Sequence, residues 1–235
     1  KVILPYLEYL GVSEVDAAFL SHPDQDHMTG LLEILEEIPV KEVYLAEYPY
    51  KVTKEFEFLK EMLEKNQISL YTINNRNSSP DGTWNCLAPI EGIIFQNEDD
   101  NDGSMVLKYE TGGRKVLFTG DISAEAERLL LQKEVDVSSD ILKVSHHGSQ
   151  HSSGEAFLQK TAAKAAVISC GEKNLYGHPH QETMERLQNA GMEIYRTDES
   201  GSILVKFREN STFTIETMTE RKPLYERIEE KLEKW

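Results

Sequence analysis

Along this chain the apolar residues repeatedly change their spacing, and each change marks an element. Leu4, Leu7, Tyr9 and Leu10 lie at helical spacing and stop at Gly11, so residues 1–11 read as a short helix with a glycine end. The run Ala17-Ala18-Phe19-Leu20 reads as a buried strand over 15–20, ended by Pro23 and the polar cluster around it. Helical spacing returns over 29–37. Val43-Tyr44-Leu45 is a strand, and Phe56, Leu59, Met62 and Leu63 share one face of a helix over 53–65. Ile68, Leu70 and Ile73 alternate, which predicts a strand over 67–73. Asn74 to Gly82 is turn-rich, and 84–96 reads as strand material broken at Pro89. Residues 105–109 and 115–118 flank Gly112-Gly113 as a hairpin.

From there helices (123–134, 154–161, 181–190) alternate with strands (140–144, 165–169, 192–195), before two last strands at 202–207 and 212–217. Strand pairs mixed with crossover helices imply an α/β (α+β) protein with two sheets sandwiched by helices. No stretch rich in Gly, Ser or Pro marks a boundary, so 1–217 reads as one domain. Leu224, Ile228, Leu232 and Trp235 form an apolar stripe among charges, and 218–235 reads as a C-terminal helical tail docked on that domain.

Candidate chemistry sharpens this picture. All seven histidines fall in three places: His22 and His27, then His146, His147 and His151, then His178 and His180. Core or surface histidines scatter, whereas imidazoles grouped in this way suit metal ligation or proton transfer. The first group lies in Ser21-His22-Pro23-Asp24-Gln25-Asp26-His27-Met28-Thr29-Gly30, directly after a strand. Its two imidazoles and two carboxylates are expected on a loop at the sheet's C-terminal edge, where α/β enzymes place their sites. Thr119-Gly120-Asp121 follows another strand, with Ser123 as the better cap for the next helix.

Ser145-His146-His147-Gly148-Ser149 follows a third strand. Neighbours on an extended chain point opposite ways, so His146 and His147 are not expected to bind the same metal. Ser152 and Glu155 have capping-box spacing, and Ser149 with the free amides at that helix start suits a phosphate oxygen. In Tyr176-Gly177-His178-Pro179-His180, either histidine is a candidate substrate contact or general acid, or a side chain satisfying a turn.

The formal charge of −16 argues against broad electrostatic adhesion to DNA or anionic lipid. A phosphate substrate must then be met locally, by metal ions and a few lysines. The acidic run 98–103 lacks the calcium-loop pattern and reads as a solvated loop. Cys86 and Cys170 read as small buried hydrophobes. No segment approaches ~18 apolar residues, so direct membrane insertion is not expected. The chain opens at Lys1-Val2-Ile3 with no initiator Met, as a piece of something longer would.

The pattern His22-x-Asp24-x-Asp26-His27 resembles the signature of metallo-β-lactamase-fold hydrolases. With Thr119-Gly120-Asp121, Ser145 to Ser149, Tyr176 to His180 and Ser104, it is most similar to the C-terminal domain of ComEC-type DNA-uptake competence proteins. The resemblance covers roughly residues 1–207. It implies a four-layer αββα sandwich whose initial strands, with a Gly-Asp-rich motif, would precede Lys1 and are missing here. It also implies two divalent metal ions, manganese or zinc, with Asp121 bridging them. Asp26, His27, Asp121 and His147 would hold one ion, and His22, Asp24 and Asp121 the other.

On the same resemblance, Asp26, His146 and His178 are the expected catalytic groups, and Ser149 and His180 the expected substrate contacts. Asp24 stands where most of the superfamily has histidine, and no histidine lies between His27 and His146. The implied function is a binuclear phosphodiesterase, the nuclease domain of a DNA-uptake protein. Single-stranded DNA would be its substrate, and the remainder of a larger membrane-bound protein its partner at the extracellular face of the cell membrane. A hydrolase of another ester (a phosphorylcholine ester or a lactone) and an inactive binding module are the alternatives.

Overall fold

The computed structural model describes residues 3–96, 100–208 and 212–218; the expected tail beyond Met218 lies outside them. After helix α1 (Ile3–Tyr9), the chain alternates β1 (Val15–Leu20), α2 (Gln25–Glu37), β2 (Val40–Ala46), α3 (Lys54–Lys65) and β3 (Ser69–Ile73). The three strands pair in parallel in the order β1-β2-β3. Parallel pairing needs crossovers, and α2 and α3 supply them. Met28, Leu31 and Leu35 of α2 and Phe56, Leu59 and Leu63 of α3 recur at helical spacing. They bury one stripe each in a core with Val43 and Leu45.

The second sheet has six strands in chain order: β4 (Trp84–Ala88), β5 (Val106–Thr111), β6 (Arg114–Phe118), β7 (Ile141–Lys143), β8 (Ala165–Ile168) and β9 (Glu193–Arg196). The β4-β5-β6 pairs are antiparallel. From β6 to β9 the pairing is parallel, through α4 (Ala124–Gln132), α5 (Glu155–Thr161) and α6 (Gln181–Asn189). Leu117, Leu142 and Ala166 are register partners and pack with Leu130, Phe157, Leu158 and Leu187 of those helices. The alternate set, Leu107–Phe118–Lys143, faces the other way, because strand side chains alternate. Across the gap Phe19 of β1 meets the Trp84 ring at 5.3 Å. The layers run helices, sheet, sheet, helices, as expected.

Three expectations change. Helix α2 begins at Gln25 rather than 29, so Asp26 and His27 ride its first turn. The stripe already includes Met28, and an acidic Asp26 suits the positive end of a helix; the dense polar motif concealed that periodicity. The second strand region stops at Ala88, ahead of Pro89. The last two strands, β10 (Ile203–Arg208) and β11 (Thr212–Thr217), follow a one-turn helix α7 (Thr197–Ser200) and pair only with each other among the described residues. This separate hairpin buries Val205, Phe207, Phe213 and Ile215 against Val116, Ile141 and Ala165 of the larger sheet.

Asp102 is a further departure from the solvated loop. It sits in a 3-10 turn (Asp100–Gly103) and is buried. Its carboxylate accepts from Ser123 N at 2.7 Å and Ser123 Oγ at 3.0 Å. Ser123 Oγ in turn accepts from Glu125 N, capping α4. Residues 100–103 are therefore pinned to the helix that follows Asp121. Cys86 is buried, whereas Cys170 is half-buried and donates to Asp198.

Candidate metal centre

The C-terminal ends of β1, β6, β7 and β8 lie side by side across the two sheets and deliver Ser21–His22, Thr119–Asp121, Ser145–His147 and Ser169 to one edge. This edge brings together His22, Asp26, His27, Asp121 and His147. Asp121 Oδ2 lies 3.3 Å from both His27 Nε2 and His147 Nε2. Asp26 Oδ2 lies 3.4 Å from His147 Nε2 and 3.8 Å from His27 Nε2, with its side chain open to solvent. The His22 and His27 ring centroids are 4.1 Å apart. Asp24, at the helix N-cap, is a rim group whose Oδ2 is 3.7 Å from His22 Nε2. Two sets of donor atoms converge closely enough to hold a metal ion: His22, His27 and Asp121, and Asp26, His27 and His147.

The donors themselves test that fit. Nε2 of His22, His27 and His147 and Oδ1 of Asp121 are buried and make no hydrogen bond among the described residues. Four such atoms, spread over two overlapping donor sets, carry a large desolvation cost unless cations meet them.

The opposite ring nitrogens are held, which directs Nε2 inward. His147 Nδ1 donates to Ser169 O at 2.7 Å. Ser21 Oγ lies 3.1 Å from Nδ1 of both His22 and His27. Ser104 Oγ lies 3.1 Å from His22 Nδ1 and accepts from Asp121 N. Such outer partners set ring orientation and tautomer in metal sites. Ser21 had no role assigned from the sequence; its place directly before His22, at the head of the motif, was the available signal. Ser104, noted there only as a matching serine, joins the first motif to Asp121.

Electrostatics agree with a ligand set. Burial, then the facing His27, push His22 down to about 4, so it is neutral with a free lone pair at pH 7. Burial alone would raise Asp121, but the close imidazoles of His147 and His27 outweigh it and hold the carboxyl far below the usual range. The nearby His147 ring also holds Asp26 low, and the two carboxylates raise His147. A proton on His147 thus supplies the positive charge that a cation would supply here.

The His146–His147 segment is not extended. Both residues adopt left-handed backbone angles (φ 47 and 53) in a 3-10 turn. His147 enters the cluster and His146 turns toward His178, with ring centroids 5.6 Å apart. Gly148 closes the turn at φ 86, where a Cβ would lie 2.6 Å from Pro179 Cβ.

The expected capping box is replaced. Ser152 Oγ donates to Ser145 O and Ser149 O. The amides of Ser153 and Gly154 are taken by the buried carboxylate of Glu127, which burial raises to about 7. Arg186 clamps the same loop by donating to the carbonyls of Gln150, Ser152 and Ser153. Those helix-start amides are therefore unavailable to a phosphate. Ser149 is buried, with Oγ accepting from His151 N, so it lies within the loop rather than at the open face. His180 Nδ1 accepts from Gln150 N at 3.3 Å, a turn-holding role. His178 stands between His146 and His180, and burial with those imidazoles lowers it to about 4.

Beside His27 lies a cavity of about 520 Å³, walled by Phe19, Trp84, Met105, Leu107 and Phe118, with Lys143 at its edge. These walls are too apolar for a phosphodiester backbone.

The core residues owe little to this centre, since the clusters around Val43 and around Leu117 close without its ligands. Chelation is therefore expected to leave the far-ultraviolet circular dichroism and a cooperative thermal transition in place, with a lower Tm through lost ligand binding. A spectrum that collapses on chelation would make the site structural.

Comparison with known proteins agrees with this geometry. A family described as the metallo-beta-lactamase superfamily matches residues 1–172. The chain is 31% identical over 218 residues to ComE operon protein 3 of Bacillus subtilis (strain 168), covering 92% of this chain and 28% of that protein. It is 32% identical over 203 residues to competence protein ComA of Neisseria gonorrhoeae, covering 86% and 26%. It is 28% identical over 238 residues to recombination protein 2 of Haemophilus influenzae, covering 96% and 26%. The chain spans about a quarter of the length of these curated relatives.

Proposed function

The chain belongs to the metallo-β-lactamase superfamily, and from that premise we propose that it is a binuclear metal-dependent phosphodiesterase, the nuclease domain of a DNA-uptake protein. The observation that carries the hydrolase reading is the set of four buried ligand atoms without hydrogen-bond partners: Nε2 of His22, His27 and His147 and Oδ1 of Asp121. Similarity to a competence protein and to a recombination protein supports the choice of DNA. Asp26, His27, Asp121 and His147 would hold one ion, and His22, Asp24 and Asp121 would hold the other. When bound, the ions supply Lewis acidity and positive charge to a phosphoryl centre.

The chain's own groups do the rest. Asp26 is the one carboxylate of the cluster that reaches both imidazoles and the open face, so it orients the attacking water and takes its proton. Asp121 is fixed from behind by its amide bond to Ser104. His146 lies outside the ligand cluster, backed by His178, and meets the leaving oxygen. No helix among the described residues is long and apolar enough to cross a membrane. We assign the domain to the extracellular face of the cell membrane, carried by the rest of a larger uptake protein.

The metal follows from ligand hardness. Three imidazoles face three carboxylates, and the ion held by His22, Asp24 and Asp121 has one nitrogen only. Carboxylates suit manganese, while zinc favours nitrogen and sulfur yet binds most sites more tightly. Apo-protein reconstituted with each ion separately is assayed on single-stranded DNA, bis-p-nitrophenyl phosphate and a phosphorylcholine ester. The expected result is DNA hydrolysis with manganese turning over faster than zinc. Full activity with zinc and none with manganese would defeat the hardness argument. Preferred cleavage of the phosphorylcholine ester would move the domain to another ester, and failure to bind metal would make it a binding module.

A further inference from the structure

The loop before α6 carries two of the most exposed large apolar side chains among the described residues, Leu175 at 98% and Tyr176 at 78%. Exposure of this kind at a loop tip usually accompanies a loose loop, but this one is fastened. Asn174 Oδ1 accepts from His178 N at 2.8 Å, and its Nδ2 donates to His178 O at 2.7 Å and to Gly171 O at 2.9 Å. One side chain thus ties both ends of 171–178 and presents Tyr176 in a defined place.

That place is aligned with the metal centre. The Tyr176 ring lies 5.8 Å from the His178 ring at an interplanar angle of 24°, and His178 lies 6.3 Å from the His147 ring at 19°. Each neighbouring pair of rings is tilted by 24° or less, and the series Tyr176, His178, His147 ends on a candidate metal ligand. The outer face of Tyr176 is open, and an offset-parallel ring on it would continue the series.

We propose that Tyr176 is the stacking platform for a nucleobase of the single strand whose phosphodiester lies at the metal centre, a reading that rests on the phosphodiesterase function above. Charge favours this over a purely ionic grip. At a formal −16 the domain has no surplus of cations with which to hold a polyanion away from its metals. Base stacking is indifferent to that charge and to sequence, because every base has a π-face. Tyr176 is then a specificity residue, separating nucleic acid from small phosphodiesters that share only the reacting group.

The test compares the wild type with Tyr176→Ala and Tyr176→Trp in two arms. In the kinetic arm, the manganese-loaded protein hydrolyses single-stranded DNA and methyl p-nitrophenyl phosphate, which has no nucleobase. Tyr176→Ala is expected to raise KM for DNA by on the order of tenfold, with the loss confined to the base-bearing substrate, and Tyr176→Trp to restore it. Equal losses on both substrates, or none on DNA, would overturn the proposal.

In the binding arm, fluorescence anisotropy follows a labelled oligothymidylate and its abasic counterpart with calcium in place of manganese. The wild type is expected to prefer the base-bearing strand and Tyr176→Ala to lose that preference. If no DNA is cleaved, the function reading fails, and this arm still decides the platform: a preference erased by Tyr176→Ala upholds it, and equal binding of both strands overturns it. Loss of neither strand's binding in Tyr176→Ala would leave Leu175 and Tyr176 to a protein partner.

Discussion

Asp121→Ala is expected to abolish hydrolysis and to remove more than half of the bound metal. The carboxylate is buried, with Oδ2 3.3 Å from His27 Nε2 and from His147 Nε2, and Oδ1 is unpartnered. That carboxylate therefore reaches both imidazoles, and in the proposed assignment it would serve both ions. Loss of an outer hydrogen-bond partner of a metal ligand typically costs 10–100-fold in affinity or activity, and loss of a shared inner ligand should exceed that, to about a thousandfold or more in kcat/KM. Elemental analysis of the purified variant, beside the wild type and Asp24→Ala, reads the stoichiometry. Asp24 is a rim group, so its variant should keep the ion held by His27 and His147. Unchanged metal content in Asp121→Ala, with activity gone, would take Asp121 out of the bridge and leave it an electrostatic role.

Gly120→Ala should damage the same centre without touching a ligand. Gly120 has φ 52, and an added Cβ would lie 2.6 Å from Ser104 Cβ and 3.0 Å from Ser104 Oγ. Ser104 contacts both His22 Nδ1 and Asp121 N, so displacing it disturbs an imidazole and the Asp121 carboxylate together. Left-handed backbone costs a non-glycine residue roughly 1–2 kcal/mol and overpacking roughly 1–3 more. For a chain of this size that corresponds to a fall in Tm of about 5–15 °C, with weaker metal binding. The second variant needed is Ser104→Gly/Gly120→Ala. It removes the collision with Ser104 but keeps the close approach to Met105 O (3.2 Å) and the strained backbone, so it should recover part of the lost Tm. A Tm for Gly120→Ala equal to wild type would mean that the turn opens freely.

Much of the centre was legible along the chain. Each candidate ligand group follows an apolar strand, and parallel strands with helical crossovers put their C-terminal ends on one edge. Clustered histidines, a carboxylate after a Thr-Gly turn and the alternation of elements were therefore enough to expect His22, Asp26, His27, Asp121 and one of His146 and His147 at one edge, while the choice of His147 came from the resemblance. The helices were legible for a similar reason: a buried stripe recurs every three or four residues whatever packs against it.

Other features depended on contacts between residues far apart in sequence. The left-handed turn at His146 and His147 is strained in isolation and persists because Ser152, Glu127 and Arg186 hold the loop around it. No local propensity announces such a turn, so the chain alone left open which imidazole enters the cluster. Ser149 and the α5 amides looked free for phosphate until a carboxylate more than twenty residues upstream proved to occupy those amides. Asp102 looked solvated until Ser123 came to it. The row from Tyr176 to His147 joins residues that only the packing of the 171–178 loop against the 145–148 turn brings together. By itself the sequence determined the kinds of group and the strand ends that carry them, because periodicity and residue chemistry are local. Only the tertiary structure decided which groups spend their hydrogen bonds on the protein and which keep them for a ligand, because a buried polar atom is satisfied by whatever the fold puts beside it.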